Sequence, residues 1–94
     1  MVIGIARITL VLPGSRSLKQ KRGVIQSVKD RIKNEYNVSV SEVDREDQHG
    51  MAVIGIACIS RNGELLQKTF DQLGETLHKR RDLVIQSYEI EIES

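Results

Sequence analysis

Three features of this 94-residue chain predict an α+β fold. Four stretches read as strands, three by alternation of apolar and other residues and one as an almost continuous apolar run, two repeat apolar residues every three to four positions, and Pro, Gly or Asn stands at several of the joints. In chain order they read β-α-β-β-α-β. With right-handed crossovers this becomes a ferredoxin-like sandwich, an antiparallel sheet of strand order 4-1-3-2 with both helices on one face. The rival arrangement is two separate hairpins with packed helices. The length fits one domain, residues 1–94.

Each element has its own justification. Val2 to Leu12 alternates, with Val2, Gly4, Ala6, Ile8, Leu10 and Leu12 on the side expected to meet the core. Pro13-Gly14 ends it, and Ser17 with Gln20 three residues later has the capping-box pattern of a helix start. That helix runs to about Glu35, with Leu18, Val24, Ile25, Val28 and Ile32 within a third of its circumference. Asn37 to Asp44 alternates as a second strand, and residues 45–50 form a polar hairpin connection. Met51 to Ser60 is almost continuously apolar, as a central strand should be. Arg61-Asn-Gly turns into a second helix near Glu64 with Leu66, Phe70, Leu73 and Leu77 at spacings of four, three and four. Its basic end, His78 to Arg81, suits a helix C-terminus, where cations oppose the dipole. Leu83 to Ile92 is the last strand.

Composition narrows the function classes. With 39% hydrophobic and 29% charged residues, no window approaches the ~18 apolar residues that would span a bilayer. No membrane partner is expected. The first residues alternate like a strand and lack a basic leader, so export is not expected. One cysteine, Cys58, in an apolar run fits a buried role in a reducing cytoplasm. Residues 1–35 hold eight Lys/Arg against two acids, +6, and residues 36–94 hold six against eleven, −5. Such segregation is a prior for a molecule that meets a polyanion on one side.

The expected topology gathers the end of the first strand, both helix ends facing it and the acidic hairpin at one edge. Lys19, Arg22, Gln26, Lys29 and Lys33 recur at three- and four-residue steps along the first helix. They form a polar stripe that could follow a phosphate backbone, or a solvated helix face. Ser15, Arg16 and Ser17 put hydroxyls and a guanidinium at a helix start, a ready anion site, although capping alone explains the serines. The spacing of a phosphate-binding P-loop is missing. Lys21 falls inside the apolar arc, where a charge needs a carboxylate, and Glu42 or Asp44 is the expected partner. Lys21, Glu42, Asp44 and His49 together form a polar pole on which an enzymatic reading would have to rest. No catalytic motif, calcium register or cofactor signature supports that reading, so neither metal nor cofactor is expected. His78 reads most simply as a helix-end cation.

Aromatic residues are limited to Tyr36, Phe70 and Tyr88. Domains of this topology that stack RNA bases on sheet aromatics carry them on the first and third strands, which here have none. RNA would therefore be met on the first-helix side by charge and shape. The open sheet face carries Ile3, Ile5, Val11 and Met51, and homodimerisation is expected through that face or through the edge strand ending in Glu-Ile-Glu-Ile-Glu.

At Leu12-Pro-Gly-Ser-Arg-Ser-Leu-Lys-Gln-Lys-Arg and Asn37-Val-Ser-Val-Ser-Glu-Val-Asp44 the chain resembles the YlxP-like small bacterial proteins, a domain family of unknown function, over essentially its whole length. The resemblance implies a ferredoxin-like fold, a bacterial cytoplasmic protein, and a genomic association with transcription and translation factors that points to ribosome-related RNA work. It implies no established activity. The family often shows a bulky apolar or aromatic residue and then Gln-Arg after the position of Asp47. Here the stretch is Gln48-His49-Gly50-Met51, so a role for the hairpin transfers less readily. The leading expectation is a non-enzymatic protein that contacts structured RNA or a ribosomal particle through Arg16, Lys19, Arg22, Lys29 and Lys33. The alternative is a dimeric small-ligand or protein-interaction module with an anion at Ser15 to Ser17.

Overall fold

In the computed structural model, which describes residues 1–93, the strand β1 (Val2–Val11) buries its even-numbered side chains and leaves most of the odd ones accessible. The helix α1 (Leu18–Glu35) follows, then β2 (Ser39–Asp44), β3 (Met51–Ser60), α2 (Gly63–His78) and β4 (Val84–Glu93). The strands form one antiparallel sheet in the order β2-β3-β1-β4. This is the 4-1-3-2 sandwich that alternation and helical periodicity predict. The second strand begins at Ser39 rather than Asn37, and the last at Val84 rather than Leu83. Leu83 nevertheless stays buried.

The core lies between the helices and one sheet face. Ala6, Ile8 and Leu10 of β1, with Ala52, Ile54 and Ile56 of β3, meet Ile25, Val28 and Ile32 of α1 and Leu66, Phe70, Leu73 and Leu77 of α2. Helix α2 comes so close to β1 that a Cβ added at Gly4 would overlap the Leu66 side chain and stand 2.6 Å from Phe70 Cε2. Glycine in this strand is the space that lets the helix dock. Leu18 and Val24 are only half-buried, and Lys21 takes a central place in the stripe of α1.

Two local devices set up the outer surfaces. Both helices are capped as polar side chains allow: Ser17 Oγ accepts from Gln20 N, and Asn62 Oδ1 accepts from Leu65 N at 2.9 Å. The β2–β3 ladder then slips between Glu42 and Asp44, so Val43 is the extra residue of a bulge. Glu42 stays opposite Ile54 on the helix side, whereas Asp44 comes opposite Val53 on the open face. On that face Ile3 and Ile5 are exposed, while Val11 and Met51 are half-buried.

Candidate functional site

The turn from β1 into α1 is held by short-range bonds. Leu12 N donates to Gly50 O at 2.9 Å, and Ser15 N to Leu12 O at 3.2 Å. Gln20 reaches back as in a capping box, but its Oε1 accepts from Arg16 N at 2.6 Å, one residue ahead of the cap. Ser15 Oγ donates to Ser17 O at 3.3 Å. His49 Nδ1 lies 3.1 Å from Ser15 O. A carbonyl can only accept, so Nδ1 carries the proton in this contact. His49 thus ties the acidic hairpin to the start of α1, and the serine hydroxyls serve the turn itself.

Beside this turn, the first half of α1 and the connection from α2 to β4 enclose an open groove of about 870 Å³. Pro13, Gly14, Gly23 and Val24 form its less polar part, and Lys19 and Arg81 stand at it as cations. Arg80 is committed elsewhere. Its Nε and Nη2 hold both oxygens of Asp82 at 2.9 and 2.7 Å, and both terminal nitrogens lie 3.3 Å from Ser27 Oγ. These bonds hold the Asp82 carboxyl below the usual carboxylate range and raise the Arg80 guanidinium. The loop is thereby fastened to α1, leaving Arg81 and Lys19, which form no ion pair among the described residues.

On the opposite flank of α1 lies the buried pair. The Lys21 side chain is 1% exposed, and its Nζ lies 2.8 Å from Glu42 Oε2. The geometry gives a charge contact without an aligned hydrogen bond, since Glu42 Oε2 has no hydrogen-bond partner. The aligned bond from Nζ goes to the Arg45 carbonyl. Arg45 itself adopts the left-handed conformation, φ 62°, a position usually left to Gly or Asn. Lys21 therefore fastens both the carboxylate of β2 and the start of the hairpin. Arg22 and Lys29 line a shallow hollow of about 330 Å³ with Ser41, Glu42 and Glu46.

The four residues of the polar pole do not converge on one point. Lys21 and Glu42 meet inside. The Val43 bulge sends Asp44 to the open face, where its Oδ2 accepts from Arg7 Nη2 at 3.2 Å and its Oδ1 accepts from Arg45 N at 2.8 Å. Those bonds, the backbone one first, hold the Asp44 carboxyl below its ordinary value. His49 turns to Ser15 instead. His78 lies apart from the groove, in a hollow between α2 and β4 with Asp71, Glu75 and Tyr88.

Of the stripe on α1, Lys19 borders the groove while Arg22 and Lys29 border the hollow beside β2. Lys33 and Gln26 are exposed further along, with Gln26 donating to Asp30 at 2.9 Å. Arg16 is exposed at the turn. Arg81 appeared in the sequence as the end of a helix, and Gly23 carried no mark beyond being the one glycine inside α1. Burial raises the Cys58 thiol, which disfavours a thiolate there. Among the described residues no three His, Cys, Asp or Glu side chains converge as a metal site would require, and no helix is long and apolar enough to cross a membrane.

Residues 3–90 match the family model described as DUF503, protein of unknown function. The uncharacterized protein YlxP of Bacillus subtilis (strain 168) is 31% identical over 72 residues, which span 77% of this chain and 78% of that protein. Among solved structures, the de novo designed protein Foldit4 superposes with a TM-score of 0.57 at 13% identity, over 100% of this chain and 98% of the other. That likeness concerns the fold alone.

Proposed function

This chain belongs to the DUF503 family of proteins of unknown function, and we propose that it is a non-enzymatic binding protein that contacts structured RNA through the basic side of α1. One observation carries the reading. Among the described residues, four ion pairs engage Arg7, Lys21, Arg31 and Arg80, and none engages Lys19, Arg22, Lys29 or Lys33. Lys21 and Arg31 are paired on α1 itself, Arg7 and Arg80 elsewhere. Lys19, Arg22, Lys29 and Lys33 are four of the unpaired cations, and with Gln26 their three- and four-residue steps set them in one row along α1, over about 21 Å of its length. Nearby acid cancels them only in part: the Glu42 charge is matched by Lys21, Glu46 faces Arg22 and Lys29 at the hollow, and Asp30 stands in the row beside Gln26. Such a row meets a phosphate backbone with little reorganisation, and each neutralised phosphate releases counterions. A ribosomal particle would present the same chemistry.

The deciding experiment titrates the protein with a structured ribosomal RNA fragment across a salt series, beside a Lys19→Glu, Arg22→Glu, Lys29→Glu variant. Binding that weakens steeply with salt and is lost in the variant supports the reading. No binding at low salt, or an unaffected variant, sinks it.

A separate observation favours a second copy of the chain on the open sheet face. Ile3, Ile5 and Ile59 are 41, 53 and 67% exposed. The register sets Glu93, Glu91 and Glu89 beside Ile3, Ile5 and Arg7 on the β4 side, and Ser39 and Ser41 beside Ala57 and Gly55 on the β2 side. A twofold axis parallel to the strands would lay β4 of one copy over β2 of the other, carboxylates against hydroxyls. An axis across the strands would oppose the carboxylates to each other, so charge selects the first arrangement.

A further inference from the structure

Gly23 is the only glycine of α1, and no contact among the described residues requires it. A Cβ built there meets no atom within 4 Å beyond the local helix backbone, and none lies within 4 Å of one built at Gly14, which lines the same groove. A helix interior disfavours glycine more than any residue except proline, and no packing contact compensates here. What both glycines do is leave bare backbone lining the groove, beside Pro13 and Val24. Glycine is used in this way where a ligand approaches the main chain closely.

Charge limits what that ligand is. Asp82 is the one acid lining the groove, and Arg80 neutralises it through two hydrogen bonds. Lys19 and Arg81 are exposed and remain available to an anion. A weakly polar floor with two cations beside it matches one unpaired nucleotide, a base joined to a phosphate. We propose that the groove between α1 and the α2–β4 connection accepts a single unpaired nucleotide of an RNA, its base lying over the Gly23 backbone and its phosphate between Lys19 and Arg81. This rests on the RNA reading of the α1 stripe and adds to it a site selective for unpaired over paired strands. An aromatic platform is not needed, because bare backbone at Gly23 lets a base approach the main chain closely.

Gly23→Ala and Gly23→Leu test the idea by opposing stability to binding. Melting is followed for both variants, and fluorescence anisotropy at low salt measures affinity for an RNA hairpin with an unpaired loop and for a blunt duplex of equal length. Gly23→Ala should melt above the parent protein. Gly23→Leu should bind the hairpin about fivefold or more weakly, the lower end of what one stacked base contributes, with duplex binding unchanged. Parent-like hairpin binding by Gly23→Leu, or equal losses on hairpin and duplex, overturns the groove while leaving the charge reading intact. A Gly23→Ala variant that melts lower also overturns it, because the fold would then need the glycine. Absence of any RNA binding by the parent protein removes the broader reading and this one with it.

Discussion

The ammonium of Lys21 lies 2.8 Å from Glu42 Oε2 beneath α1, with the lysine side chain 1% and the glutamate side chain 20% exposed. Two charges so placed lose hydration that their attraction only partly restores, and removing one partner strands the other. Lys21→Met should therefore lower stability by about 3 kcal/mol in urea denaturation. Adding Glu42→Leu should recover most of that loss. Unchanged melting of the single variant would mean that the contact contributes nothing.

Gly4→Ala should destabilise the fold by about 1 to 3 kcal/mol, because Leu66 and Phe70 already occupy the space of the new methyl group. Gly14→Ala, which meets no neighbour, is the control. Thermal unfolding of the two, side by side, checks the difference.

Tyr88 donates its hydroxyl to Phe70 O at 2.6 Å, and burial, with the nearby Asp71 charge, raises its pKa well above the usual value. The folded state therefore favours neutral tyrosine. Its contribution to stability is complete below the unfolded value of about 10 and declines as pH rises from there toward the raised folded value. Denaturation midpoints from pH 8 to 11.5 should fall at the alkaline end, and Tyr88→Phe should flatten that fall.

For RNA binding, Lys33→Gln should reduce the slope of log Kobs against log salt by about 0.7 to 0.9, one phosphate's worth. Lys68→Gln, which alters an exposed cation of α2, should not change the slope. Identical slopes for Lys33→Gln and the parent protein would remove Lys33 from the interface.

Ile5→Glu should shift the protein toward monomer in sedimentation equilibrium, since it adds a carboxylate beside Glu91 on the open face. The lower association should be partly restored at high salt, where like charges are screened. A parent protein that is monomeric at all concentrations rules out the dimer.

Much of the architecture is legible because period-2 and period-3.6 patterns are imposed by a one-sided core. The even residues of β1 and the Leu66, Phe70, Leu73, Leu77 series of α2 can only face one way once they are buried. The partner of Lys21 was legible for a related reason: a charge inside an apolar stripe needs a carboxylate, and β2 had two. Which of the two was not legible. Alternation puts Glu42 and Asp44 on one side, and only the Val43 bulge, a property of the ladder with β3, separates them.

The sequence alone determined the element order, the buried faces and the row of cations on α1, because each follows from spacing along a single segment. Tertiary structure decided which cations remain available. Arg31 and Arg80 are paired within their own segments, to Glu35 and Asp82, but Arg7 and Lys21 are spent on carboxylates brought from elsewhere, as Asp44 is to Arg7 across 37 residues. It also decided that Gly23 borders a groove, because the other wall, Arg80 to Asp82, is supplied from more than fifty residues away. Distances along a chain do not reveal such walls; the crossover geometry that folds α2 back beside α1 creates them.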